Sequence, residues 1–377
     1  MLRNRRRNGR STAPWAVAVV AAMASLAGTP AHAQERWLLQ GLFNTELWET
    51  DDDSRLLSAN EGSQASEGQL TLWLAAELHP SVQLVVIGDV AGGNTEGESE
   101  VVTDLEQALV RYTFGPDRRL MLEAGRLPQS LGNFAARYRA DVNPLIGGPS
   151  GYTESHPQGI QLAGSVKRLD FTAGYVDRPL VNEGWVPEYD SAFRPTLDLG
   201  VTPMVGLRLA AYATQGPYLN EDLPAALLAG SEWDEFDQRV VGFDLHFSRG
   251  YLELNGDYNV SSYEVPTYDR LFRGEAYYIE PKYTFTPRWF AALRLEANKY
   301  PFIRPEDTGW LARETKFYDF EIGVGYRFGV NSLVKASYRQ DFWQVDPSQR
   351  SFFPDGYAVA VQFSQTFDVL SWFAPGL

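Results

Sequence analysis

The feature that most constrains this chain is a two-residue alternation of apolar and polar side chains, sustained over long segments. Leu70, Leu72, Leu74, Ala76 and Leu78 alternate with Gln69, Thr71, Ala75 and Glu77. Val241, Phe243, Leu245 and Phe247 alternate with Gly242, Asp244 and His246. Phe320, Ile322, Val324, Tyr326 and Phe328 alternate with Glu321, Gly323, Gly325 and Arg327, and Tyr357, Val359, Val361 and Phe363 with Ala358, Ala360, Gln362 and Ser364. Successive side chains of a β-strand point to opposite faces, so each segment is predicted to be a strand with one apolar and one hydrated face. After Gln34 the chain shows no amphipathic helix longer than a few turns.

A soluble sandwich would alternate as well, with its apolar face inward. Strand length separates the two architectures. Many segments here run to ten or more residues, whereas strands of globular proteins usually hold about five or six and a tilted membrane-spanning strand needs about 9–11. The connections add a rhythm. Short turns are predicted at 79–81, 115–119, 167–168, 202–204, 248–250, 286–288 and 329–332. Between them fall longer polar stretches, at 50–67, 92–103, 127–157, 177–195, 215–237, 262–271, 300–316 and 344–355. Seven short and eight long connections predict an all-β fold, a transmembrane antiparallel β-barrel of about sixteen strands with short periplasmic turns and long external loops. Closure follows from the solvent, because hydrocarbon offers no hydrogen-bond partner to an open sheet edge. Trp37, Trp48, Phe114, Tyr175, Phe247, Tyr258, Phe285, Trp289, Phe328 and Phe367, at predicted strand ends, are expected in the interfacial aromatic girdles. That placement accounts for 13% aromatic residues in a chain of mean hydropathy −0.29.

The N-terminus carries an address. Arg3, Arg5, Arg6, Arg7 and Arg10 precede an apolar stretch from Ala13 to Leu26, and Ala31-His32-Ala33 supplies a cleavage pattern. Residues 1–33 read as a cleaved secretory signal peptide, leaving one barrel domain, 34–377, in a bacterial outer membrane. Its removal leaves 28 basic against 48 acidic side chains, the wrong balance for a general nucleic-acid binder. The absence of cysteine excludes a disulfide scaffold, a thiolate metal site and a cysteine nucleophile. The domain's histidines are His79, His156 and His246, without a Ser/His/Asp arrangement, and no dinucleotide, P-loop or zinc-ligand pattern is visible. The expectation is a non-enzyme without cofactor or metal. The Asp51-Asp52-Asp53 run alone supplies too little coordination geometry for calcium.

Two segments carry family resemblances. The segment Gly356–Phe367 looks like the C-terminal signal read by the outer-membrane assembly machinery, with Phe367 or Phe373 as its terminal aromatic residue. The run Ala124-Gly125-Arg126-Leu127-Pro128-Gln129-Ser130-Leu131-Gly132, followed by Gln158-Gly159-Ile160-Gln161-Leu162-Ala163-Gly164, resembles the phosphate-selective porin O/P-like group over about forty residues. The resemblance implies a sixteen-stranded diffusion channel whose third loop folds inward. The implied surroundings are outer-membrane lipid and lipopolysaccharide, the implied cargo small hydrophilic solutes, and a homotrimer is left open.

In a channel, selectivity resides in the charged lining. Alternation assigns Arg111, Glu123, Arg208, Asp244, Arg294, Glu296, Glu321, Arg327 and Arg339 to the lumen, together with Glu77, Asp89, Asp170, Glu253, Asp257, Glu280, Lys282, Lys335 and Asp341. A one-residue bulge would reverse any of these assignments. Loop 127–157 is expected to form the constriction, with Arg126, Arg137, Arg139 and Asp141 at the narrow point. The rival reading is an external loop whose arginines meet lipopolysaccharide phosphates. The long loops hold 27 of the 48 acidic residues, so the external mouth is expected to attract cations. Weak cation preference or poor selectivity is expected, and phosphate specificity is not. The alternative function is a structural or partner-binding barrel without an open pore.

Overall fold

The computed structural model describes residues 37–51, 65–93, 100–117, 119–152, 155–177, 193–219, 223–306, 309–345 and 354–370. The expected signal peptide, Asp52, Asp53 and Phe373 lie outside them. The strands follow in chain order: β1 (Trp37–Thr50), β2 (Ala65–His79), β3 (Val82–Gly93), β4 (Glu100–Phe114), β5 (Leu120–Arg126), β6 (Gln158–Val166), β7 (Leu169–Val176) and β8 (Arg194–Met204). They continue with β9 (Leu207–Pro217), β10 (Asp237–Arg249), β11 (Leu252–Glu264), β12 (Leu271–Thr284), β13 (Trp289–Glu306), β14 (Gly309–Arg327), β15 (Ser332–Gln344) and β16 (Gly356–Asp368). Each pairs antiparallel with its chain neighbours, and β1 pairs with β16 from Gln40↔Asp368 to Thr50↔Ala358, closing a sixteen-strand barrel.

The alternation behaves as the sequence predicts. In β16, Tyr357, Val359 and Val361 are exposed on the outside while Ala358, Ala360, Gln362 and Ser364 are buried on the inside. Outward-facing leucine, valine and aromatic side chains of this kind recur around the barrel and form its apolar exterior. Near the short turns, ring pairs Tyr283–Phe285, Trp289–Tyr326 and Tyr326–Phe328 lie 5.2, 4.7 and 4.8 Å apart, as a girdle requires. Phe367 sits over Gly41 across the closing seam, where a Cβ on residue 41 would come within 2.3 Å of the ring. Trp48 departs from the girdle expectation. Its indole donates to Glu46 at 2.9 Å and packs with Tyr300, Phe317, Trp343 and Ala358, so it belongs to a cluster on the inner face.

Three further details correct the sequence reading. The turns placed at 202–204 and 248–250 sit later, at 205–206 and 250–251, because β8 and β10 keep pairing through Met204 and Arg249. The stretch 300–316 is a hairpin rather than a loop: β13 and β14 pair without interruption from Trp289↔Tyr326 to Glu306↔Gly309. Pro301 and Pro305 disguise it, since proline ordinarily argues against a central strand. Beyond Lys299, however, β13 has left its ladder with β12, and proline is tolerated at such an edge. Finally, the β3–β4 register shifts at Ile87/Gly88, so that Glu106 is skipped between Gln107 and Leu105. This bulge turns the outer half of β4 over.

Candidate functional site

Loop 127–157 leaves the wall at a close approach of three strands. Gly125, opposite Gly159 across β5 and β6, has φ 131°, and a Cβ there would lie 2.2 Å from the Ala108 carbonyl oxygen. Only glycine fits this backbone. The chain then turns inward. Leu127 and Leu131 pack against Leu109, Val176, Tyr212 and Val240, from β4, β7, β9 and β10. Phe134 and Tyr152 pack against Ala276 and Tyr278 of β12.

Polar ties to inward-facing side chains fix the rest. The Asn133 amide donates to the carbonyls of Leu245 and Gly256 at 2.8 and 3.0 Å. Tyr152 and Tyr212 both donate to Asp257 Oδ1 at 2.7 Å. Burial, with Tyr212 and the Asp257 carboxylate alongside, pushes the Tyr152 phenol well above its ordinary pKa, so it remains a donor. Arg137 reaches Glu280 at 2.6 Å. Burial opposes its charge, but Tyr278 and the Glu280 carboxylate prevail and hold its pKa above the usual value. The backbone amides of Ile146 and Gly147 donate to Glu321 Oε1, each at 3.0 Å, and that of Ser150 donates to Glu296 at 2.7 Å. Lys335 donates to the carbonyls of Ala140, Asn143 and Leu145 at 2.9, 2.9 and 2.7 Å. Arg294 and Arg339 donate to the carbonyls of Gly147 and Gly148 at 2.8 and 3.1 Å.

No family model matches the chain, and no curated protein matches it. Solved structures do. OmpF of Salmonella typhi, in a complex with daunomycin, aligns with TM-score 0.61 at 14% identity, over 88% of this chain and 97% of that one. A trimer form of OmpT, an outer membrane protein of Vibrio cholerae, aligns with TM-score 0.57 at 12% identity, over 88% and 99%. OccK5 (OpdH) of Pseudomonas aeruginosa aligns with TM-score 0.52 at 11% identity, over 89% and 99%. The fold is that of a sixteen-strand outer-membrane β-barrel.

Within this barrel the nominated residues fall into two groups. One is buried and structural in its contacts. Arg294 lies 2.6 Å from Glu280, 3.3 Å from Glu321 and 4.0 Å from Glu296. Arg339 lies 2.7 Å from Asp319 and 3.5 Å from Asp341. Arg137 joins this group through Glu280. The other group is half-exposed: Arg111 on Glu123 at 2.6 Å, Arg126 beside Asp104 at 3.4 Å, and Arg139 on Asp141 at 2.5 Å. Arg208 is held by Asp170, Asp198 and Asp244 at 2.7, 2.9 and 3.1 Å. Arg327 lies apart, its guanidinium 5.8 Å from the Phe290 ring centre near the turn after β14.

Sequence reasoning missed Asp104, Glu106 and Trp73. Alternation in step with Arg111 puts Asp104 and Glu106 on the outer face, yet Asp104 holds Arg126 and Glu106 accepts from the Tyr138 hydroxyl at 3.1 Å. The β4 bulge is the cause. A signal existed in the segment Thr103–Ala108, where Asp104 and Glu106 flank the apolar Leu105. Trp73 faces inward, with the Arg139 guanidinium 4.4 Å from its ring centre. An aromatic residue at a lumen position carries no distinguishing pattern in sequence. Among the described residues, no group of three or more His, Cys, Asp or Glu side chains is arranged to hold a metal ion.

Proposed function

We propose that this chain is an outer-membrane channel for passive diffusion of small hydrophilic solutes or ions, narrowed by loop 127–157. The carrying observation is that this loop is tied to the inner side of β10 through β15, by a backbone carbonyl on β10 and by side chains on the others, which leaves a different arc of the wall to bound the solute path. Arg126, Arg137 and Arg139 each have a carboxylate partner. This supports weak cation preference or poor selectivity rather than a preference for phosphate, whatever the likeness at Gly125 and Gly159. A homotrimer is the assembly we favour, in keeping with the trimer form described for OmpT.

The alternative is a barrel that conducts nothing and serves as a structural or partner-binding element. It is favoured by Arg137 and Tyr138, which contact strands on opposite sides of the barrel. Single-channel recording in planar bilayers, with reversal potentials under a salt gradient, separates the two. Discrete conductance steps with a small positive cation preference are expected. Silence from folded protein would leave the structural reading standing.

A further inference from the structure

Charge is divided between the two ends of the barrel. The short turns at the periplasmic end carry Arg119, Lys167, Arg168 and Arg288 against a single acidic residue, Asp117, although the whole chain has 48 acidic side chains and 33 basic ones. Three of these cations fall together. Ser165 donates its backbone N–H to the Arg119 carbonyl at 3.0 Å, and Thr202 donates to the Arg168 carbonyl at 2.8 Å. The β4–β5 turn, the β6–β7 turn and the end of β8 are thereby laced edge to edge. The Arg168 guanidinium also donates to the Pro203 carbonyl at 2.8 Å. Arg119, Lys167 and Arg168 are exposed, and none of them forms an ion pair among the described residues.

Lys167 stands where a turn of this form favours glycine. Val166 pairs with Leu169 as Arg249 pairs with Leu252, so each hairpin turns on two central residues. The first of them has a positive φ in both, 63° at Gly250 and 57° at Lys167. An L side chain crowds its own backbone there, which is why glycine is the usual choice. Lysine therefore holds this position at a cost in stability, and strain of that kind points to a task for the side chain.

We propose that Arg119, Lys167 and Arg168 hold the phosphate of an anionic phospholipid in the inner leaflet of the outer membrane. Beside the turn, Val166 and Leu169 point outward, 60% and 59% exposed. On the same outer face Phe171 lies across Gly164, 2.9 Å from where a Cβ would be. That surface takes an acyl chain while the three cations take the headgroup through charge-assisted bonds. The strands are also short here. β5, β6 and β7 have 7, 9 and 8 residues, where a spanning strand needs about 9–11. A short wall draws headgroups to its edge, and long basic side chains reach out to meet them. The acidic external loops would repel the same headgroup, so the patch fits one leaflet only. None of this depends on conduction through the barrel.

Native mass spectrometry of the full chain, folded in detergent with equal amounts of phosphatidylglycerol and phosphatidylethanolamine, reads the site. Phosphatidylglycerol should be retained about threefold or more over phosphatidylethanolamine, and Arg119→Gln, Lys167→Gln and Arg168→Gln combined should bring the ratio to about one. Arg249→Gln with Arg288→Gln, which removes exposed charge from turns farther round the barrel, should leave the ratio unchanged. Lys167→Gly should give opposed readouts, a lower ratio and a higher thermal unfolding midpoint in a zwitterionic detergent. Equal retention of both lipids by the unaltered protein overturns the proposal. An equal fall in the Arg249/Arg288 variant does so too, since it would mean a diffuse effect of charge. So does a Lys167→Gly protein that keeps the full ratio or melts lower. Co-sedimentation with peptidoglycan sacculi that needs these three residues, without any lipid preference, would give the patch to the cell wall instead.

Discussion

Loop 127–157 adds to its apolar contacts a set of ties to carboxylates, guanidiniums and an ammonium, whereas the connection 218–236 is held mainly by apolar packing. Tyr218, Leu219, Leu223 and Leu228 pack there with Tyr263, Val265, Phe272, Ile303, Trp310 and Ala312. The difference follows from what each finds. A connection that turns into the barrel meets inner faces that alternation has made polar, so its ties are directional and name particular atoms. The connection 218–236 meets the β13–β14 hairpin where it rises past its β12 ladder. Ile303 and Ala312 pair on one face of that hairpin, while Tyr300 and Phe317 lie on the other. With Tyr263 and Phe272, in step with the inward-facing Asp257 and Ala276, Ile303 and Ala312 offer a surface for apolar burial, which is non-directional. Charge fixes loop 127–157 in one place; apolar burial makes 218–236 compact.

The largest test of this contrast is Arg294→Met. It leaves Glu280, Glu296 and Glu321 without their shared cation, and breaking a buried pair from one side costs about 3–5 kcal/mol. Urea unfolding in detergent should show that loss, accompanied by a wider distribution of conductance levels as the loop detaches. A stable variant with unaltered current would mean that charge does not position the loop. Trp310→Ala is the matching insult at 218–236, worth up to about 3 kcal/mol by loss of packing and of the indole bond to the Leu227 carbonyl at 2.7 Å. Proteolysis should then cut within 218–236 while conductance stays constant. A changed conductance would show that the two regions are mechanically joined.

Much of the barrel was legible because hydrocarbon imposes a strict rule on alternate residues. The short strand Leu120–Arg126 and the strand over Thr196–Val201 both appear where alternation and flanking turns put them. What was not legible came from departures of one residue or from contacts between distant segments. The β4 bulge reversed Asp104 and Glu106, and proline hid the outer half of β13. At the loop, residue type pointed to Arg137, Arg139 and Asp141, yet nothing local distinguished Arg137, an anchor on β12, from Arg139, which leans on β2. Their partners Glu280 and Trp73 lie 143 and 66 positions away in the chain, and pairing of that kind is written in the closed barrel, not in a motif.

The finest comparison removes the same atom from both regions. Tyr152→Phe deletes a hydroxyl that donates to a buried carboxylate inside the barrel, and Tyr268→Phe one that donates to the Trp310 carbonyl at 3.0 Å. A bond to a charged group contributes about 1.5–3 kcal/mol and a neutral one about 0.5–1.5. The inner deletion also leaves Asp257 with one fewer donor, although Tyr212 and the Asn133 backbone N–H remain. The deletion at Tyr268 leaves a carbonyl beside a half-exposed ring that water can replace. Unfolding midpoints in detergent should therefore fall more for Tyr152→Phe than for Tyr268→Phe, with the second near the limit of measurement. Equal losses would mean that the charge on Asp257 adds nothing to the inner tie, and the distinction between polar and apolar anchoring would then rest on packing alone.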